Sequence, residues 1–169
     1  MLPLSFCLGL FALWIQAVFY PNIPINPFIP FIALACLLSS FSKAPWLALL
    51  AGLSIDFLSS DPFGIYALNY SLTAALCYSW HSRFSADVPL QLSLYTAIVS
   101  FVSGFLQLAL LFLFDRRVPF DGKWWLTVSL PGFDAMYAFF WFACPLAFFQ
   151  FVRKSVVNYW LRKKNPSTT

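Results

Sequence analysis

Glutamate is absent from this chain, histidine occurs once, and charged residues make up only 9% of it. Soluble domains carry about 25% charged residues, so the composition is that of an integral membrane protein. The scarcity of acids and histidine also removes most catalytic chemistry. There is no nucleophile elbow, no phosphate-binding loop and no pair of carboxylates inside the apolar runs, so neither catalysis nor a cofactor or metal site is expected. His81 has no second ligand-type residue near it in sequence and suits the membrane interface better than a metal. Cys7, Cys36, Cys77 and Cys144 each lie in an apolar run without a CxxC pair, which points to small packing residues and not to a disulfide framework. The net charge of +4 comes largely from basic residues near the C-terminus, which membrane topology explains without nucleic acid.

What is plentiful is apolar: 61% of the 169 residues are hydrophobic and 21% aromatic, with a mean hydropathy of +0.78. The expected fold is an all-α integral membrane protein, a bundle of about six transmembrane helices of about 20 residues each. The bundle fills residues 1–152 and a basic cytoplasmic tail fills 153–169. Apolar runs place the spans near 2–20, 28–41, 45–59, 63–80, 89–114 and 133–152. The first run has no early Lys or Arg and reads as a retained helix, not a signal peptide. Pro21, Pro24, Pro27 and Pro30 follow it and predict an extended connector at the membrane surface. Residues 115–132, with Trp124, Trp125 and Pro131-Gly132, predict one sizeable interfacial loop, and Pro145 predicts a kink in the last span.

Polar residues inside these runs are few, and their spacing is informative. Gly52, Asp56 and Ser59 fall on one face of the third run, and the chain then breaks at Ser60-Asp61-Pro62 and resumes after Gly64. Pro62 has no amide hydrogen and Gly64 accepts backbone angles other residues resist, so a tight reversal between helices is predicted. Ser60 or Asp61 could equally be a plain helix cap. Asp56 lies a full turn inside the apolar run, so it is expected to face protein or water as a hydrogen-bond acceptor, with Ser59, Ser60, Asn69 and the amides opening the fourth span as donors. On the fifth run, Ser93, Thr96, Ser100, Ser103 and Gln107 recur at helical spacing with Gly104 beside them. Such a stripe of small, weakly polar residues lets helices approach closely in lipid; a transport path lined by hydroxyls is the alternative.

Loop charges set the orientation. Lys43, Arg83, Arg153, Lys154, Arg162, Lys163 and Lys164 fall on one side, against Arg116, Arg117 and Lys123 on the other. Positive residues stay inside, which predicts that both termini are cytoplasmic. The tail cations Arg153, Lys154, Arg162, Lys163 and Lys164 would then meet anionic membrane lipid or cytoplasmic partners.

The run Asp56-Phe57-Leu58-Ser59-Ser60-Asp61-Pro62-Phe63-Gly64-Ile65, preceded by Gly52-Leu53, resembles the signature of the bacterial rod shape-determining protein MreD family. The resemblance covers residues 27–83, with Ser60 where the family often has Gly and Phe63 where Leu is usual. It implies a fold similar to the S-components of vitamin transporters, in the bacterial cytoplasmic (inner) membrane. It also implies a non-enzymatic role in cell shape and lateral peptidoglycan synthesis, as a scaffold or regulator in the elongation machinery. The implied partners are an MreC-like periplasmic scaffold, RodA and its transpeptidase, and MreB filaments. A substrate-binding membrane subunit of a small-solute transporter is the competing expectation; it needs a polar cavity near the outer surface.

Overall fold

A computed structural model of the chain describes residues 2–19, 26–59, 62–86, 88–114, 124–145, 148 and 152. Among these residues all regular structure is helical, with no strand: α1 (Leu2–Phe19), α2 (Ile29–Leu38), α3 (Ala44–Asp56), α4 (Ile65–Cys77), α5 (Pro89–Phe114) and α6 (Trp124–Tyr137). A 3₁₀ segment, Tyr78–Arg83, extends α4, and a π-helical segment, Ala138–Ala143, extends α6.

The bundle is built around its shortest helix. Every residue from Ile29 to Cys36 is buried, which is where a helix that is apolar all round must go. α2 packs against α1, α3, α4 and α5. Phe28 precedes it and is fully buried, its ring 5.6 Å from that of Phe6 on α1. Pro30 sits in the first turn of α2, where its missing amide costs no intrahelical bond. The described part of the proline-rich stretch therefore enters a helix; residues 21–25 lie outside the described residues.

Large apolar side chains cover much of the exterior, while several polar side chains are buried within an otherwise apolar core. Trp14, Phe19, Trp46, Phe105, Phe112 and Leu113 are all more than half exposed, whereas Ser5, Asp56, Asn69, Thr73, Thr96, Ser100, Ser103 and Asp134 are buried. Among the described residues, Leu2–Phe19 and Pro89–Phe114 are long and apolar enough to cross a membrane; Ile29–Leu38 and Ala44–Asp56 are apolar but shorter. At 1.5 Å per residue α2 is about 15 Å long, half of a hydrocarbon core of about 30 Å.

The fifth run coincides with α5, but the last helix departs from expectation. It begins at Trp124 and passes through Pro131, so the stretch from 124 that reads as interfacial loop is helical. Pro131 forfeits one backbone bond, and exposed Gly132 has nothing within 4 Å of where a Cβ would be. Ahead of Pro145, where the sequence predicts a kink, the helix takes a π-helical turn over Ala138–Ala143, and residues 144–145 are helical. Residues 115–123 lie outside the described residues.

Candidate functional site

The reversal between α3 and α4 is fixed by residues that act for different physical reasons. Gly64 has φ +96° and open space around it, so backbone angle alone requires glycine there. Gly52 is the opposite case. A Cβ built on it would lie 2.5 Å from Ala67 Cα, 2.5 Å from the Tyr66 carbonyl oxygen and 2.6 Å from Ala67 N. The two helices touch backbone to backbone at this point.

One turn further along the same face, Asp56 is only 5% exposed. Its Oδ1 accepts the Tyr66 amide and its Oδ2 accepts the Ala67 amide, each at 3.0 Å. These amides belong to the opening turn of α4, whose first N–H groups have no partner within the helix. Asp56 therefore caps α4 from a neighbouring helix, its negative charge set at the positive end of the helix dipole. Ser59 donates its own amide to the Ile55 carbonyl at 2.8 Å and the Ile65 amide reaches the Pro62 carbonyl at 3.3 Å. Ser60 and Asp61 lie outside the described residues.

The stripe on α5 faces inward over most of its length: Ser93, Thr96, Ser100 and Ser103 are buried, Gly104 and Gln107 half-buried. Ser93 and Thr96 return their hydroxyls to the carbonyls of Pro89 and Leu92, at 3.0 and 2.8 Å. Ser103 and Ser100 reach other helices. Asn69 on α4 donates from Nδ2 to Ser103 Oγ at 3.0 Å and accepts from the Thr73 hydroxyl at 3.3 Å. Ser100 donates to Asp134 Oδ2 on α6.

Asp134 is the residue sequence reasoning missed. It is fully buried and accepts the Asn26 amide on Oδ1 at 2.9 Å, with the Asn26 side chain 3.5 Å from Oδ2. The interior thus holds a second carboxylate, where the sequence suggested Asp56 alone. The signal was present: Asp134, like Asp56, is flanked on both sides by apolar residues. It was masked by Pro131-Gly132, which read as the end of a loop.

Linked in order, these contacts form a polar spine across the interior: Asp56 joins α3 to α4, Asn69 with Ser103 joins α4 to α5, and Ser100 with Asp134 joins α5 to α6 and to the segment entering α2. The Tyr70 hydroxyl, beside Asn69, is buried with no hydrogen-bond partner among the described residues. No group of three or more metal-ligating side chains occurs among the described residues. The arrangement is suited to holding helices in register, since its carboxylates are satisfied by neutral donors. Cys36 and Cys77 are buried, Cys7 and Cys144 exposed, and all are free. His81 stacks on Tyr78, ring centres 4.2 Å apart, at the end of the 3₁₀ segment. The tail residues Arg153, Lys154, Arg162, Lys163 and Lys164 lie outside the described residues. No protein-family model, curated protein or solved structure matches the chain.

The spine makes the stripe testable. Replacing Ser100 and Gly104 by Leu should sharply lower the yield of monodisperse folded protein on size-exclusion chromatography in detergent. Removing the Ser100 donor from a buried carboxylate costs about 1–3 kcal/mol before any steric term. Leu94 and Leu108, off the stripe and exposed, should accept Phe within about 0.5 kcal/mol. Equal tolerance at both pairs would show that the stripe does not set helix packing.

Proposed function

We infer that the chain is a multi-pass membrane protein of about six spans that acts, without catalysis, as an MreD-like component of the cell-wall elongation machinery. The membrane reading is supported by the apolar exterior and by two helices long and apolar enough to cross a membrane. The family reading is supported by one observation above others: Gly52, Asp56 and Gly64, the residues that carry the resemblance, are also the residues whose geometry makes the α3–α4 reversal. A motif of this kind specifies a shape. Its apolar outer faces would receive partner helices, and its basic tail would meet anionic lipid or cytoplasmic filaments on the inner side.

On this reading both termini are cytoplasmic and the connection at 115–123 is external; a cytoplasmic signal from reporters fused within 117–123 would overturn that orientation. Function is tested by depletion in a rod-shaped host that depends on the chain. Cells should become round or swollen while uptake of small solutes stays normal. Normal shape with loss of vitamin uptake would overturn the assignment in favour of a transporter subunit.

A further inference from the structure

A cleft of about 230 Å³ opens between α1, α2 and α3, lined by Leu2, Pro3, Phe6, Phe31, Leu47 and Leu50. All of these side chains are apolar. Phe31 is 2% exposed and makes the floor, braced edge-on by Phe6 with ring centres 5.2 Å apart, while Leu50 is 54% exposed. The two leucines belong to a longer pattern on α3. Lys43 is the N-cap residue of that helix, already in helical geometry, and its carbonyl accepts the Leu47 amide at 3.1 Å. Lys43, Leu47 and Leu50 therefore recur at i, i+4 and i+7 on one face. An exposed cation heads the face that walls the cleft. Phe41 and Trp46, 59% and 68% exposed, flank it as aromatic residues do at a membrane surface.

We propose that this cleft holds an acyl chain of an anionic phospholipid whose phosphate is drawn to Lys43. Water is a poor occupant, since an apolar cavity of about 150 Å³ stays dry and accepts benzene instead. A partner helix, about 10–12 Å across with its side chains, is too broad to enter. An alkyl chain is flexible and narrow enough to lie along the leucines, and a lysine ammonium is a point charge suited to phosphate. The inference rests on the membrane reading above.

Native mass spectrometry of the full chain in detergent, supplied with equal phosphatidylglycerol and phosphatidylcholine of matched acyl chains at low ionic strength, tests it. Phosphatidylglycerol should be retained about fivefold over phosphatidylcholine, the preference one lysine near a surface provides. Lys43→Gln should bring the ratio to about one. Leu50→Trp, which fills the rim, should reduce retention of both lipids; Leu50→Phe serves if the tryptophan variant does not fold. An unchanged ratio in Lys43→Gln, or unchanged retention in the rim variants, overturns the site. So does loss of a co-purifying membrane protein from a rim variant with lipid unaffected. Release of the chain from membranes by alkaline carbonate without detergent would instead overturn the membrane reading, which the lipid ratios leave untouched.

Discussion

Gly52→Ala is expected to leave little folded protein, and to do so by a single methyl group. The added carbon would meet Ala67 Cα at 2.5 Å and the Tyr66 carbonyl oxygen at 2.5 Å. These are backbone atoms, so no rotamer change relieves the clash and α3 must move away from α4 by about 1 Å to restore contact near 3.5 Å. Overpacking of this kind costs about 1–3 kcal/mol. The same displacement stretches the 3.0 Å bonds from Asp56 to the Tyr66 and Ala67 amides, adding about 1–3 kcal/mol for each amide left unsatisfied. Thermal unfolding in detergent and membrane abundance would both read the loss. Because Gly52 and Asp56 act on the same two residues, their effects should not add. Gly52→Ala placed in an Asp56→Leu background should cost much less than it does alone. Wild-type abundance in the alanine variant would refute the close approach.

Asp56 itself is expected to be as sensitive. Leucine at this position removes both acceptors and strands two amides, at about 2–6 kcal/mol in all. The conservative change is the more informative one. From sequence, an amide should substitute well because it still accepts. The geometry corrects this: each carboxylate oxygen takes a different N–H, and asparagine has one acceptor, with its NH₂ forced against the second amide. Asp56→Asn should therefore fall between wild type and Asp56→Leu, losing about 1–3 kcal/mol and, if the proposed function holds, losing shape complementation in proportion to abundance. An Asn variant at wild-type abundance that nonetheless fails to complement would point to ion or proton coupling at this carboxylate, against the structural role.

The parts of this architecture that were legible in the sequence are those where one physical cause acts alone. The span of α5 follows from an apolar run without breakers, and its inward stripe follows from helical spacing. Asp56 stands out because a lone carboxylate in an apolar run has few tolerable environments. Its donors could be narrowed but not chosen: Asn69, a candidate donor, turns instead to Ser103, a contact decided by how α4 lies on α5. α2 shows the other limit. Its sequence is apolar on every side, so nothing in it distinguishes a lipid-facing helix from one enclosed by protein, and only its short length hinted at the second. Pro131 and Gly132 misled because a Pro-Gly pair marks a helix boundary only as a tendency, and α6 runs through both.

The enclosure of α2 carries a consequence for the order of assembly. At about 15 Å it is too short to bridge lipid unaided, and its setting is completed by α5, which begins some fifty residues later, at Pro89. Synthesis runs from the N-terminus, so α2 emerges well before the wall that shelters it. Until α5 arrives it has only α1 and its nearer successors for cover. The central pillar of the bundle is thus sheltered only once α5 has emerged, and the polar spine, which also needs Asp134 on α6, closes later still.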